Sequence, residues 1–244
     1  MRVAFVSDVH GNLPAFQAVL ASIEEHGLFD TLIGGGDFAF GGVYPARCVA
    51  VTREHGFPCV RGNTDEWVVE SFTAGRRPAR DYGPAEAHNG AMLAVDSWIA
   101  RLLDGDAARW LSELPMDWRV TGPSGQRLAF VHATPWSTHP QFLPDDEAMQ
   151  TRILDAADTD VVVHGHNHKA YVRQIGERTI AGAGSVGMPT DGDPLPAWLI
   201  GSDDGAGWRF EHVRVPYDRD TYLSELARSG IPNSAQFISV IRGG

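Results

Sequence analysis

Three of the ten histidines in the sequence lie within five positions, directly after an apolar run. The stretch VVVHGHNHK, residues 161–169, places His164, His166 and His168 at the end of a predicted strand. Neutral imidazole nitrogens are common ligands of divalent metals. Taken alone, the pattern fits a catalytic metal site, a structural zinc site or a solvated loop.

Four other apolar runs also end at side chains that can bind a metal. The groups that follow these runs are Asp8 and His10, Asp37, Asn63, and His132. Each fragment by itself is typical of an ordinary turn. Because ligands of open α/β sheets bind at the carboxyl ends of the strands, we expect these side chains to converge with the histidine cluster.

Together these residues form a mixed set of nitrogen and oxygen donors. Two carboxylates, one amide oxygen and four imidazoles suit Mn, Fe, Zn or Ni better than calcium. They are too many for one tetrahedral ion. Two ions about 3.5–4 Å apart, bridged by one carboxylate, would use them all.

The elements that position these groups are read from hydrophobic periodicity. The first quarter alternates strands and helices, which indicates βαβ units, with strands at 2–7, 30–35 and 58–62 and helices at 13–27 and 45–56. The second half predicts antiparallel hairpins, a helix at 145–157 and a last helix near 218–229. Between them, a helical insertion is expected at about 73–115. We expect one domain over 1–244.

Composition excludes several classes of protein. The net charge of −11 argues against binding of duplex nucleic acid or an anionic membrane surface. No apolar run approaches the roughly 20 residues of a membrane span, and the N-terminus lacks a secretion leader. Cys48 and Cys59 are expected to be buried and unpaired, as in a reducing compartment. These features favour a cytoplasmic protein and leave open whether it is a homo-oligomer.

The ordered motifs resemble those of the calcineurin-like metallophosphoesterases. The matching motifs are D-x-H (Asp8, His10), G-D (Gly36, Asp37), G-N-x-D (Gly62, Asn63, Asp65), a strand-end His132 and G-H-x-H (Gly165, His166, His168). The glycine-rich segment at 182–194 is similar to one in the small bacterial phosphodiesterase branch. The resemblance implies an α/β fold, a four-layer α/β/β/α sandwich of two mixed β-sheets flanked by helices.

The resemblance also implies a dinuclear metal centre. One ion is expected to bind Asp8, His10, Asp37 and His168, and the other Asp37, Asn63, His132 and His166. Asp37 would then be the bridging carboxylate and, with Asn63, a catalytic residue. The implied cofactors are two divalent metal ions, Mn, Fe, Zn or Ni, with manganese favoured in vitro.

One position departs from the family pattern. Many members have a histidine that protonates the leaving group where this chain has Thr64, and threonine has no useful pKa for that role. Further candidates near the centre each have a structural alternative. Asp65 is either a group that supports the metal ligands or an acid at a helix N-terminus. His164 is either a supporting or substrate-edge group or an ordinary buried histidine. Arg61 is either a clamp for the phosphate or the partner of a surface ion pair. His88, near the start of the insertion helix, is expected at the mouth of the site.

These features predict a dinuclear-metal-dependent phosphohydrolase that acts through a metal-bridging hydroxide. Two ions, two carboxylates and that hydroxide leave a net charge of about +1, which attracts a phosphate ester. A phosphodiesterase on small nucleotide-like esters is favoured over a monoesterase. The alternative is a non-catalytic metal-binding scaffold or regulatory protein with the same fold. A metallo-β-lactamase is disfavoured because the early HxHxDH motif is absent.

Overall fold

The computed structural model describes residues 1–75 and 86–243, without the side chains of residues 86–91. The strands are β1 (Arg2–Val6), β2 (Thr31–Gly34), β3 (Asp117–Thr121), β4 (Arg127–Val131), β5 (Val161–His164), β6 (Ala170–Ile175), β7 (Arg178–Ala183), β8 (Ala197–Asp203) and β9 (Trp208–Arg214). The helices are α1 (Leu13–Glu25), α2 (Pro45–His55), α3 (Asn63–Ala74), α4 (Glu86–Ala100), α5 (Gly105–Glu113), α6 (Glu147–Ala157), α7 (Arg219–Arg228) and α8 (Ser234–Arg242).

Two mixed sheets form the centre of the molecule. Their strand orders are β2-β1-β8-β9 and β3-β4-β5-β7-β6. Strands β1 and β2 are parallel in the first sheet, and β4, β5 and β7 are parallel in the second. The antiparallel neighbours predicted for the second half of the chain are β3 with β4, β6 with β7, and β8 with β9.

Alternation along the strands divides the core into three apolar layers. Val3 and Phe5 of β1 pack with Phe130 of β4 between the two sheets. Ala4 and Val6 of β1 face the opposite way, into a layer shared with the buried faces of α1 and α2. On the outer face of the second sheet, alternate β4 and β5 residues pack against α6. Because successive strand residues point to opposite faces, each sheet is covered on both sides. The predicted α/β/β/α sandwich is confirmed.

Three local predictions need correction. The segment at 58–62 is not a strand, because Cys59 forms only one isolated bridge, with Gly34. Its continuation is helix α3, which begins at Asn63 and which the sequence indicated only through the alternative of Asp65 as a helix N-terminal acid. A helix beyond the predicted last one, α8, was missed.

The predicted insertion is described only in part, because residues 76–85 lie outside the described residues. The remainder contains the end of α3 with α4 and α5, and both of these pack against α3. The one-domain division and the insertion's boundaries stay predictions.

Cys48 and Cys59 are buried and unpaired, as expected from the sequence. Burial raises the pKa of both thiols. Among the described helices, none is long and apolar enough to cross a membrane.

The layer between the sheets gives a test of the packing. Phe130 is fully buried and meets Phe5 edge to face, with ring centroids 5.2 Å apart. Phe130→Ala should lower the free energy of unfolding by about 3–5 kcal/mol, because the cavity cannot collapse between two sheets. Urea denaturation in the presence of a chelator measures this.

The control is Leu28→Ala, since Leu28 is 93% exposed. It should change the free energy of unfolding by less than about 0.5 kcal/mol. Equal effects of the two substitutions would contradict the layer assignment.

Candidate metal centre

The structure brings together all seven side chains that the sequence predicted as metal ligands. They follow strands β1, β2, β4 and β5 or, for Asn63, begin helix α3. Six are buried to less than a tenth of their surface, and the side chain of His168 is 16% exposed. Four strand ends and one helix N-terminus therefore deliver the donor set, rather than the five strand ends expected.

One group of donor atoms lies around Asp8. His10 Nε2 and His168 Nε2 are 3.0 Å apart, and His168 Nε2 lies 3.3 Å from Asp8 Oδ1. His10 Nε2 is 3.8 Å from the same oxygen. We call Asp8, His10 and His168 the first donor group.

A second group surrounds the amide oxygen of Asn63. Its Oδ1 lies 3.0 Å from His132 Nε2 and 2.9 Å from His166 Nδ1, and the two nitrogens are 3.2 Å apart. The three atoms form a nearly equilateral triangle. We call Asn63, His132 and His166 the second donor group.

The Asp37 carboxylate lies between the two groups. Its Oδ2 is 3.7 Å from His10 Nε2, and its Oδ1 is 3.6 Å from His132 Nε2. Asp8 is also near the second group, because one of its oxygens lies within 4.8 Å of ligand atoms of Asp37 and His132. One carboxylate thus presents an oxygen to each group, as a bridging ligand would.

Backbone carbonyls fix the orientation of all four imidazoles. His10, His132 and His168 each use Nδ1 to donate to a carbonyl, those of Phe40 (2.8 Å), Gly35 (2.7 Å) and Met188 (2.7 Å). His166 donates from Nε2 to the carbonyl of His139 at 3.1 Å. Since a carbonyl can only accept, the opposite nitrogen of each neutral ring carries a lone pair. All four lone pairs point into the centre.

This arrangement fits divalent cations. Lone pairs facing each other at 3.0 Å repel unless a proton or a cation lies between them. Two ligand nitrogens about 2.1 Å from one ion and at a right angle would be about 3.0 Å apart. The 3.0 Å between the two histidine nitrogens of the first group and the 2.9–3.2 Å separations of the second match this value. The Asp8 oxygen of the first group lies farther from these nitrogens, at 3.3 and 3.8 Å. The donor types and spacings therefore suit borderline divalent ions.

Buried carboxylates make the centre favourable for positive charge. Burial raises the pKa of Asp8, but His168, His132 and His10 outweigh it, so the net shift is downward. Burial disfavours protonation of His132 and His168, yet the facing carboxylates raise the pKa of both. The same pull would act on a metal ion.

Two imidazoles are held neutral. Burial, then the charge of His132, lowers the pKa of His166 to about 3. Burial and His168 lower the pKa of His10. A neutral ring keeps the lone pair that a metal requires.

The ligand loops have a strained backbone. Among the described residues, seven that are not glycine have a positive φ, and five of them are donors: Asp8 (57°), His10 (50°), Asp37 (57°), His166 (67°) and His168 (58°). Left-handed backbone costs roughly 1–2 kcal/mol per residue. Such strain persists where the surrounding structure over-determines it and concentrates at functional sites.

Backbone hydrogen bonds hold these loops. Parallel pairing of β1 and β2 continues beyond the strands, because Asp8 N donates to Gly36 O (3.1 Å) and His10 N to Asp37 O (2.9 Å). Two glycines permit the close approach. A Cβ on Gly165 would lie 2.0 Å from Ser7 Oγ, and one on Gly62 would lie 2.1 Å from Asp37 Oδ1.

Asp65 connects two ligand loops. Its carboxylate accepts from the backbone N–H groups of Asp37 (2.8 Å), Phe38 (3.0 Å) and Gly62 (3.0 Å). Burial and the Asp37 carboxylate raise the pKa of Asp65 to about 7, against the effect of these donors. Asp65 therefore combines the two alternatives considered from the sequence. It holds the backbone of Asp37, and it is an acid in the first turn of α3.

Thr64 and Arg61 lie on either side of this turn. Thr64 N donates to Asp37 Oδ1 at 2.9 Å, while its buried Oγ1 has no hydrogen-bond partner among the described residues. Arg61 Nε lies 3.1 Å from Glu66 Oε1. The structure thus places Arg61 in the ion pair that was the alternative to a phosphate clamp.

Of the remaining two candidates, the structure describes the side chain of His164 only. His164 is fully buried against Phe142 and Tyr171, and its Nε2 lies 2.6 Å from the Tyr171 hydroxyl. Burial lowers its pKa to about 4. A fully buried His164 cannot contact a substrate, so the buried-histidine or supporting alternatives remain. The side chain of His88 lies outside the described residues.

Five of the seven donors line a cavity of about 350 Å³. It is lined by His10, Asp37, Phe40, Asn63, Thr64, Trp67, Met92, Gln141, His166, Asn167, His168, Met188, Thr190, Gln236, Phe237 and Val240. No lysine or arginine is among these described lining residues. None of these described residues supplies the positive charge that a phosphate needs, which bound cations would provide.

Sequence reasoning missed several participants. The carbonyls of Phe40, His139 and Met188 orient ligands, but carbonyl direction leaves no signal in residue type. The apolar cavity residues resemble core residues in sequence. The glycine-rich segment at 182–194, which contains Met188, was singled out only by its resemblance to the phosphodiesterase branch.

Comparisons with known proteins agree with this geometry. Residues 1–204 match the sequence model of the calcineurin-like phosphoesterase superfamily domain. An uncharacterized protein of Methanocaldococcus jannaschii is 25% identical over 250 aligned positions, which cover 94% of this chain and 93% of that protein.

Two solved structures share the fold over the whole chain. A metallophosphoesterase from Sphaerobacter thermophilus has a TM-score of 0.75 at 23% identity, and a hypothetical protein from Pyrococcus horikoshii has 0.81 at 16%. Each alignment covers 100% of this chain and 98% of the other. With the family match spanning more than four-fifths of the sequence, the chain belongs to the calcineurin-like phosphoesterase superfamily.

Proposed function

We propose that this protein is a phosphohydrolase that depends on two divalent metal ions, and that it is a phosphodiesterase acting on small nucleotide-like esters. The observation that carries the proposal is the convergence of two groups of lone pairs, joined by Asp37, at the floor of one cavity. Membership of the superfamily supports the phosphoesterase class. Unpaired buried cysteines are consistent with a cytoplasmic location.

The first donor group with Asp37 would hold one ion, and the second donor group with Asp37 the other. Bound divalent cations stabilise negative charge on phosphoryl oxygens and make water a nucleophile at neutral pH. Mn, Fe, Zn and Ni all suit the mixed donors, and manganese is the ion of choice for assays.

The chain's own residues provide position and charge balance. Carbonyl-tethered imidazoles keep their donor nitrogens in place without reorganisation, which is the form of preorganisation that favours catalysis. Asp8 and Asp37 supply two negative charges against the four positive charges of two ions. The remaining positive charge attracts a phosphate ester even though the chain carries a net charge of −11.

Two features favour a diester. The described residues that line the cavity include no lysine or arginine, so none of them offers a side-chain cation to the second negative charge of a monoester dianion. Thr64 also replaces the family's usual proton donor. A leaving group that needs little protonation therefore suits this site.

Loss of the bridging carboxylate tests the proposal. The wild-type protein with Mn²⁺ should hydrolyse bis-p-nitrophenyl phosphate. The release of p-nitrophenolate, measured by its absorbance, reports the rate. Asp37→Asn and Asn63→Ala should each lower kcat/KM at least 100-fold, since even residues behind metal ligands cost about 10–100-fold when changed.

Asp204→Asn is the matched control, because Asp204 is exposed in the β8–β9 turn. It should retain full activity. If metal-loaded wild-type protein turned over neither diesters nor monoesters, the scaffold alternative would replace the proposal.

Because Thr64 cannot act as a general acid, we predict that kcat/KM depends strongly on the leaving group. In a series of methyl aryl phosphates, kcat/KM should fall steeply as the pKa of the leaving phenol rises, because no general acid assists departure. General acids typically contribute about 10²–10⁴-fold.

Thr64→His should flatten this slope, mainly by raising rates for the poorest leaving groups, and Thr64→Ser should leave it unchanged. A shallow slope in the wild-type protein would mean that another group donates the proton.

A further inference from the structure

An aromatic wall begins directly beside the first donor group. Phe40 lies edge to face with His10, with ring centroids 6.4 Å apart. It meets Trp67 of α3 at 5.9 Å and Phe237 of α8 at 6.0 Å, again edge to face. All three rings line the cavity that holds the donors. A group attached to a phosphate at the centre would therefore contact this wall.

Helix α8 contributes a side of the cavity. Gln236 and Phe237 line it, and so does Val240, which lies about one helical turn further along α8. The match to the superfamily's sequence model ends at residue 204, before α7 and α8 begin. The wall that α8 provides thus lies beyond the part of the chain that carries the family motifs.

The chemistry of the wall is apolar and rigid, with neutral polar groups at its margin. Met92 and Met188 complete the apolar surface, and methionine sulfur packs well against rings. Gln141, Asn167, Thr190 and Gln236 offer hydrogen bonds without charge. Phe40 and Phe237 are each only 5% exposed, so binding would cost them little side-chain entropy.

We call the part of the cavity lined by Phe40, Trp67 and Phe237 the α8 pocket. We infer that the α8 pocket binds a flat, uncharged aromatic ring carried by the phosphate ester, such as a nucleobase or a simple aryl group. Aromatic rings gain from edge-to-face and offset contacts with other rings, beyond the area that they bury. A volume of about 350 Å³ accommodates a small ring system beside a phosphate but is small for two such groups. The inference rests on the proposed function, because the phosphate must be held by the metal centre for the ring to reach α8.

The test measures binding rather than turnover. Isothermal titration calorimetry on the full-length, Mn²⁺-loaded protein compares methyl phosphate, phenyl phosphate and adenosine 5′-monophosphate. Both aromatic ligands should bind about tenfold tighter than methyl phosphate, in keeping with the usual strength of stacking on aromatic side chains. The difference between phenyl phosphate and the nucleotide then shows whether the pocket prefers an aryl group or a nucleobase.

Two variants of α8 test the location. Phe237→Leu removes the ring while keeping an apolar side chain, and Val240→Trp fills the pocket from a half-buried position. Each should reduce the aromatic preference to within about twofold, with methyl phosphate affinity unchanged. Ile238→Ala is the control, since Ile238 lies on the same helix but lines a different depression, and it should keep the full preference.

The outcomes separate the two proposals. Equal affinity of the wild-type protein for all three ligands would overturn the α8 pocket while leaving the phosphate site intact. The same conclusion follows if Phe237→Leu and Val240→Trp change the preference no more than Ile238→Ala does. If none of the three ligands bound to the Mn²⁺-loaded protein while it still hydrolysed bis-p-nitrophenyl phosphate, the inference alone would fail; if it neither bound them nor hydrolysed the diester, the proposed function would fail as well.

Discussion

The candidate centre depends on the tethering of four imidazoles to backbone carbonyls. One nitrogen of each ring donates to a carbonyl, so the other points inward, and in the neutral ring it carries the lone pair. Converging lone pairs and buried carboxylates are costly in the absence of positive charge. The affinity of the site for cations thus follows from how the rings are oriented, as much as from which residues are present.

The fold provides that orientation at a cost in backbone strain. Five donors lie in left-handed backbone, where asparagine, aspartate and histidine are tolerated better than most side chains. The β1–β2 hydrogen bonds that continue past the strand ends, and the three N–H groups gathered by Asp65, hold these loops in place. Burial of the three apolar layers beneath these loops stabilises the fold and offsets the backbone strain in the loops.

The sequence predicted most of the site because metal-ligand types at strand ends are a local signal. Asp8, Asp37, His132 and His166 follow strands that apolar runs mark clearly. Asn63 joins the other donors for a different reason from the one that the sequence indicated, since the segment before it pairs only through Cys59 and the residue begins a helix. Helix α8 and the aromatic wall could not be foreseen. Phe40, Trp67 and Phe237 look like ordinary core residues, and their alignment beside His10 depends on tertiary packing.

The central claim is that one chain holds two cations joined by Asp37. Electron paramagnetic resonance during titration with Mn²⁺ tests it most directly, because ions about 3.5–4 Å apart are magnetically coupled. The account predicts saturation at two ions per chain, with the multiline spectrum of a coupled pair. Saturation at a single ion, or two ions with only the six-line spectrum of isolated Mn²⁺, would contradict it.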